Sequence, residues 1–241
     1  MDKTYAFATS AIRSSSNGAD FVNELKTSFG IEVKVIDGNK EAELIYEGVR
    51  LGVKMNSHNS LIMDIGGGST EFIIANSSRI IWKQSFNLGA ARLLEKFNPS
   101  DPIKEEEIET IEKYFDDELI PLERALKLYP VTELIGSSGS FDTFAEVITA
   151  KYSAPVNLDL NSSYDFTMKD FYEIYAQLIN STKEQRLKTP GIIEMRVDMI
   201  VVSAIFTKYI LNKFKLNKMR LSTYALKEGV IAQLMKTQLI N

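Results

Sequence analysis

The stretch Ser60-Leu61-Ile62-Met63-Asp64-Ile65-Gly66-Gly67-Gly68-Ser69-Thr70-Glu71-Phe72-Ile73-Ile74-Ala75 decides how the chain is read. An apolar strand, Ser60–Asp64, delivers an aspartate to a turn of three glycines, and a second strand, Thr70–Ala75, leaves it. A third strand follows at Ile80–Phe86, so the segment is a β-meander and not a strand-to-helix phosphate loop. Glycines without side chains let backbone N–H groups approach an anion closely. Ser69 and Thr70 add hydroxyl donors, and Asp64 could hold a magnesium ion directly or through water. A glycine-rich hairpin whose aspartate caps the turn fits the same residues equally well.

Upstream, the pattern reads β-α-β-α: a strand at Tyr5–Thr9, a helix at Gly18–Phe29 stopped by Gly30, a strand at Ile31–Ile36, turn chemistry at Asp37-Gly38-Asn39, and a helix from Lys40 to Gly52. This is the pattern of a mostly parallel sheet covered by helices. Downstream, a long helix is expected from Asp101-Pro102 to Tyr129, broken near Pro121. A strand at Glu133–Ile135 then runs into Gly136-Ser137-Ser138-Gly139-Ser140, and a helix at Phe141–Tyr152 follows. Ser153–Thr167 reads as loop. Helices are expected from Thr167 to Ser181, over Glu194–Phe214 and over Ala225–Leu239, with a short strand at Met219–Ser222.

Gly136 to Ser140, between a strand and a helix, offers backbone donors to an anion, though an ordinary helix cap explains it as well. From spacing alone, Glu41 is dipole compensation at a helix start and Arg13 a surface arginine able to clamp a phosphate bidentately. The sole histidine, His58, lies in a polar loop, and there is no cysteine, which excludes disulfides, thiolate zinc sites and cysteine nucleophiles. Net charge is −4, without the basic excess of a duplex-binding protein, so DNA is not an expected partner. No leader is visible at the start, the apolar run Met199–Leu211 is too short to span a bilayer, and a cytoplasmic location with no membrane partner is expected.

Taken together, these segments resemble the exopolyphosphatase / guanosine pentaphosphatase family. Ala8 to Arg13 with Asn17-Gly18, Ile36 to Ala42 with Leu44-Ile45-Tyr46, Asp64 to Glu71, Gly136 to Ser140, and Pro190-Gly191 with Arg196 to Ile200 and Ser222 to Gly229 follow its motifs in order. The resemblance implies an actin-like, sugar-kinase-like α/β fold of two ribonuclease-H-like domains. Residues 1–44 would be a remnant of the first and residues 45–241 the second, with a helical C-terminal part. It implies Glu41 as the residue directing the attacking water. It implies phosphate contacts at Arg13, Gly66, Gly67, Gly68, Ser69, Thr70, Gly136, Ser137, Ser138, Gly139 and Ser140, and a Mg2+ cofactor at Asp64 and Glu71. The substrate implied is polyphosphate, or guanosine pentaphosphate as the alternative, and the assembly implied is a homodimer.

Nothing ahead of Asp64 matches the family's opening Asp-Ile-Gly-Ser-Asn loop. The expectation is a chain that starts inside the first domain, with an open sheet edge, a tendency to self-associate and weak activity alone. An inactive fragment or pseudo-enzyme that binds nucleotide or polyphosphate without turnover is therefore a third reading. Lys40 stands where relatives carry an acid and should lower the pKa of Glu41. Thr223, Tyr224 and Lys227 replace an aspartate, a glycine and an arginine of the C-terminal motif.

Overall fold

A computed structural model describes residues 4–152 and 160–238. Two strands near the start, β1 (Ala6–Ala8) and β2 (Val33–Val35), pair in parallel with each other alone, joined by α1 (Ser10–Ser14) and α2 (Gly18–Phe29). Arg13 thus sits on the short helix α1. Tyr5, Phe21, Phe29 and Val35 of this unit are exposed.

The main sheet has six strands: β3 (Ser60–Ile65), β4 (Thr70–Ala75), β5 (Ile80–Phe86), β6 (Leu134–Ser137), β7 (Ser163–Phe166) and β8 (Met219–Ser222). Their order is β5-β4-β3-β6-β8-β7. The antiparallel β3–β4–β5 meander is as read from the sequence, and β6 and β8 lie parallel to β3 on its other side. An antiparallel meander continued by parallel strands beside its first strand is the ribonuclease-H-like arrangement, so the chain has the actin-like α/β fold. The edge strand β7, antiparallel to β8, corrects the expectation of a loop over its residues. Tyr164 and Phe166 alternate with polar residues there, as suits a half-exposed edge. Residues 153–159 of that expected loop lie outside the described residues, and 160–162 carry no helix or strand.

Alternation along β3 divides the core. Leu61, Met63 and Ile65 pack with Phe115, Phe144 and Phe206 on one face. Ile62 joins Ile73, Ile45 and Val49 on the other. The second face is covered by α3 (Gly38–Gly52), along which α11 (Leu226–Gln238) lies. The two helices cross on glycines: a Cβ on Gly48 would stand 1.9 Å from the Ala225 carbonyl oxygen, and one on Gly229 would stand 1.8 Å from that of Leu44. No other residue permits that approach. α3 runs unbroken through Leu44 and Ile45.

The first face carries α4 (Ala90–Phe97), α5 (Glu105–Glu118), α6 (Ile120–Leu128), α7 (Gly139–Lys151), α8 (Met168–Ile179), the short α9 (Lys183–Leu187) and α10 (Met199–Lys213). α10 is buried nearly all round, with Ile200 to Thr207 inaccessible, which explains its unbroken apolar sequence. Among the described residues no helix is long and apolar enough to cross a membrane.

Three helix boundaries differ from the sequence reading. Asp37-Gly38-Asn39 is not a free turn but the start of α3, where the Asp37 side chain accepts from the Lys40 N–H at 2.8 Å. Asp101 does not cap the helix that follows Pro102. Its carboxylate accepts from Arg186 Nη2 at 2.8 Å and from the Lys183 N–H at 2.6 Å, and the helix begins only at Glu105. The segment from Glu194 opens with a single 3-10 turn, Glu194–Arg196, before α10.

Candidate functional site

The C-terminal ends of β3 and β6, the meander turn and the start of α3 meet in one place. Asp64 lies opposite Glu71 in the β3–β4 register and opposite Ser137 in the β3–β6 register. Its two carboxylate oxygens accept from Ser137 Oγ at 2.6 Å and Ser138 Oγ at 2.7 Å. Burial pushes the Asp64 carboxyl upward, and the two hydroxyls oppose that shift. Ser138 makes its bond from φ 69°, ψ 173°, a region normally reserved for glycine. Holding a serine there costs about 1–3 kcal/mol, and such strain concentrates where a site requires it.

Glu71, 1% exposed, accepts through Oε1 from Ser69 Oγ at 2.7 Å and Ser85 Oγ at 2.6 Å. Burial first, then the nearby carboxylates of Glu41 and Asp64, push it up to about 8 despite both hydroxyls. Glu41, in the first turn of α3 and 6% exposed, accepts from Arg13 Nη1 at 3.2 Å. The same Nη1 donates to the Ile36 carbonyl at 2.7 Å, which ties α1 to the end of β2. Burial raises the Glu41 carboxyl, Arg13 pulls it back, and Asp64 raises it further. The expected lowering by Lys40 does not occur, because the Lys40 ammonium turns to Glu43 at 3.3 Å.

The glycine turn is closed by the Gly66 N–H donating to the Ser69 carbonyl at 2.9 Å. Among the described residues the N–H groups of Gly67 and Gly68 enter no backbone hydrogen bond. The Gly66 and Gly67 carbonyls instead receive the first N–H groups of α4, with Ala90 N at 2.8 Å and Ala91 N at 3.0 Å. Arg92 fixes the turn from outside: its Nε donates to the Gly68 carbonyl at 2.9 Å and its Nη2 to Ser14 Oγ at 3.3 Å.

The site thus gathers Glu41, Arg13, Asp64, Glu71, Ser69, Gly67, Gly68, Ser137 and Ser138. Thr70 is different: its buried hydroxyl donates to the Leu88 carbonyl at 2.9 Å. Ser140 points its hydroxyl at Ser203 Oγ at 2.9 Å, and Gly136 is a sheet residue packed against the Phe141 ring. Gly139 lies under Arg196, whose Nη1 donates to the Gly139 carbonyl at 2.6 Å and to Thr143 Oγ1 at 3.0 Å. Between the two loops is a cavity of about 250 Å³, with Ile65, Ala90, Met199 and Ile200 as apolar wall and Arg196 as its one cation.

Sequence reasoning missed Ser85, Arg92 and the role of Arg196. Ser85 reaches Glu71 only through the antiparallel register, although its alternation with Lys83 along β5 was a usable signal. Arg92 belongs to α4, whose Ala90, Leu93, Leu94 and Phe97 recur at helical spacing.

The fit of a metal can be judged from the donors. Asp64 and Glu71 are hard oxygen donors, adjacent in register and buried, and the carboxylates of Glu41 and Asp64 add to the burial that lifts Glu71 to about 8. Both features suit a hard dication. Among the described residues no three acidic or histidine side chains stand together as a cage, so the remaining ligands would be phosphate and water oxygens.

Solved structures of other proteins share this fold. An exopolyphosphatase from Cytophaga hutchinsonii superposes with a TM-score of 0.94 at 43% identity, covering 97% of this chain and 75% of that one. A member of the Ppx/GppA family from Aquifex aeolicus gives a TM-score of 0.81 at 25% identity, covering 97% and 74%. A Haemophilus influenzae protein, provisionally named an exopolyphosphatase, is 27% identical over 236 residues, which cover 98% of this chain and 70% of that protein. The sequence pattern of the Ppx/GppA phosphatase family matches residues 1–238, and this chain belongs to that family.

Proposed function

We propose that this chain hydrolyses the terminal phosphoanhydride bond of inorganic polyphosphate, with Glu41 directing the attacking water. One observation carries the reading: the Glu41–Arg13 pair stands at the sheet end where both small-residue loops converge, beside the buried Asp64 and Glu71. The terminal phosphoryl group would lie against the N–H groups of Gly67 and Gly68, whose fixed dipoles stabilise charge spreading over its oxygens, while the Ser138 hydroxyl, donating to Asp64, holds that carboxylate in place. Glu41 accepts a hydrogen bond from water and aims its oxygen at phosphorus. The bridging P–O bond breaks, inorganic phosphate and a chain shorter by one unit leave, and the water proton passes to Glu41 and then to solvent. Arg13 favours the ionised form of Glu41 and so opposes the burial that raises it. Magnesium held by Asp64 and Glu71 would supply charge neutralisation of the phosphates.

A specific feature favours a second substrate. Polyphosphate has no apolar surface, whereas the cavity walled by Ile65, Ala90, Met199 and Ile200 offers one to a nucleoside, which suits guanosine pentaphosphate. Phosphate release from the two substrates, measured side by side at equal concentration, tests the choice. Faster release from guanosine pentaphosphate would replace the first reading by the second. Magnesium-dependent binding of either without product would mark a binding protein.

A further inference from the structure

Away from the carboxylates, a groove of about 410 Å³ runs between α3, α11 and the β4–β5 turn, with Lys40, Arg50, Arg79 and Lys236 beside Glu43 and Glu47. Lys83 joins it by pairing with Glu43. Each acid holds two cations: Glu43 takes Lys40 and Lys83, and Glu47 takes Arg50 at 3.7 Å and Lys236 at 2.8 Å. Arg79 enters none of the ion pairs among the described residues. Five cations against two acids leave an excess of three positive charges, on a chain whose net charge is −4.

The charges form a track and not a cluster. Lys40, Glu43, Glu47 and Arg50 lie on one face of α3, over about 15 Å at the helical rise. One end of the track is at the site: Lys40 adjoins Glu41 in sequence, and Lys83 shares a face of β5 with Ser85, which bonds Glu71. The acids hold the flexible ammonium groups in place while leaving each cluster positive. The one aromatic in the groove, Tyr46, is buried with its hydroxyl on the Asn76 carbonyl at 2.9 Å, so no exposed ring offers a stacking platform for nucleobases.

We propose that this groove binds the trailing part of a polyphosphate chain whose terminal phosphate lies at Glu41, an inference that rests on the hydrolase reading above. A polymer that presents evenly spaced negative charge and nothing else is matched by interleaved cations without aromatics. A substrate of three phosphates would reach the site but not Arg79 or Lys236.

The test is calorimetric titration of long-chain polyphosphate and of tripolyphosphate into the wild-type chain and into Arg79→Gln/Lys236→Gln, at low and physiological salt. The proposal expects long-chain affinity to fall about tenfold in the double variant, two exposed charge pairs being lost. It also expects a shallower salt dependence and unchanged binding of tripolyphosphate. Unchanged long-chain affinity, an equal loss for both ligands, or tighter binding of single-stranded RNA of matched charge would overturn it. Binding reads the groove independently of turnover, so absence of phosphate release would refute the hydrolase reading and leave this contrast to be judged on its own.

Discussion

Asn in place of Asp142 should stabilise this protein at neutral pH and leave it unchanged in acid. Asp142 lies in the first turn of α7, and its Oδ1 is buried with no hydrogen-bond partner. Burial pushes its carboxyl from 3.8 up to about 6. Arg196 opposes the rise, while Glu146, Asp64 and Glu228 add to it. The folded pKa is the higher one, so the unfolded chain releases the proton first. Folding stability therefore falls as pH rises through the interval from 3.8 to about 6, and is level beyond it. At 1.36 kcal/mol per pH unit, an interval of about two units gives nearly 3 kcal/mol, and partial solvation reduces the working figure to about 2 kcal/mol. Asp142→Asn keeps the shape and removes the ionisation. Urea unfolding of both proteins from about pH 4 to about pH 8 should give a stability difference near zero in acid that grows to about 2 kcal/mol in favour of the variant. A difference that stays flat across that range, or that favours the wild type as pH rises, would refute the reasoning.

Other substitutions probe the frame of the site. Gly229→Ala places a methyl group 1.8 Å from the Leu44 carbonyl oxygen and should cost at least 2 kcal/mol or so in urea unfolding, because α11 must move off α3; an unchanged midpoint would contradict the close crossing. Glu133, 1% exposed, holds Arg220 at 2.6 Å, Lys218 at 3.0 Å and Ser60 Oγ at 2.9 Å at the end of the sheet opposite the loops. Glu133→Gln should cost about 3 kcal/mol in stability and leave the KM for polyphosphate unchanged, and an altered KM would argue against this separation. Ser138→Ala removes one of the two hydroxyls that hold Asp64, so kcat should fall about tenfold in a phosphate-release assay. An undiminished kcat would show that the strained Ser138 has no catalytic use.

The parts of the fold that were legible in the sequence are those whose local chemistry and tertiary environment agree. β4 and β5 and the start and end of α2 were read to the residue, because apolar runs bounded by glycine and turn residues leave little choice. α4 was missed despite its helical spacing, since it follows Gly89, a signal for ending an element and not for starting one. The break between Pro102 and Glu105 goes with Arg186, a buried residue of α9, which holds the Asp101 carboxylate at the start of α9 and away from α5. Likewise, the glycine and serine loops were visible as motifs, but which hydroxyl faces the site was not. Thr70 and Ser69 are neighbours in sequence and opposite in direction on a strand, so Ser69 meets Glu71 and Thr70 meets Leu88. The Lys40–Glu43 pairing depends on which of two acids lies on its face of α3, a matter of helical spacing that adjacency in sequence conceals.

The most direct measurement is phosphate release from long-chain polyphosphate with magnesium, by the wild-type chain beside Glu41→Gln, an isosteric change that keeps the Arg13 contact and removes the charge. The account predicts release by the wild type and a fall of about a hundredfold or more in the variant, the range expected when a positioned base is lost. Equal rates in the two proteins, or no release by the wild type, would contradict it.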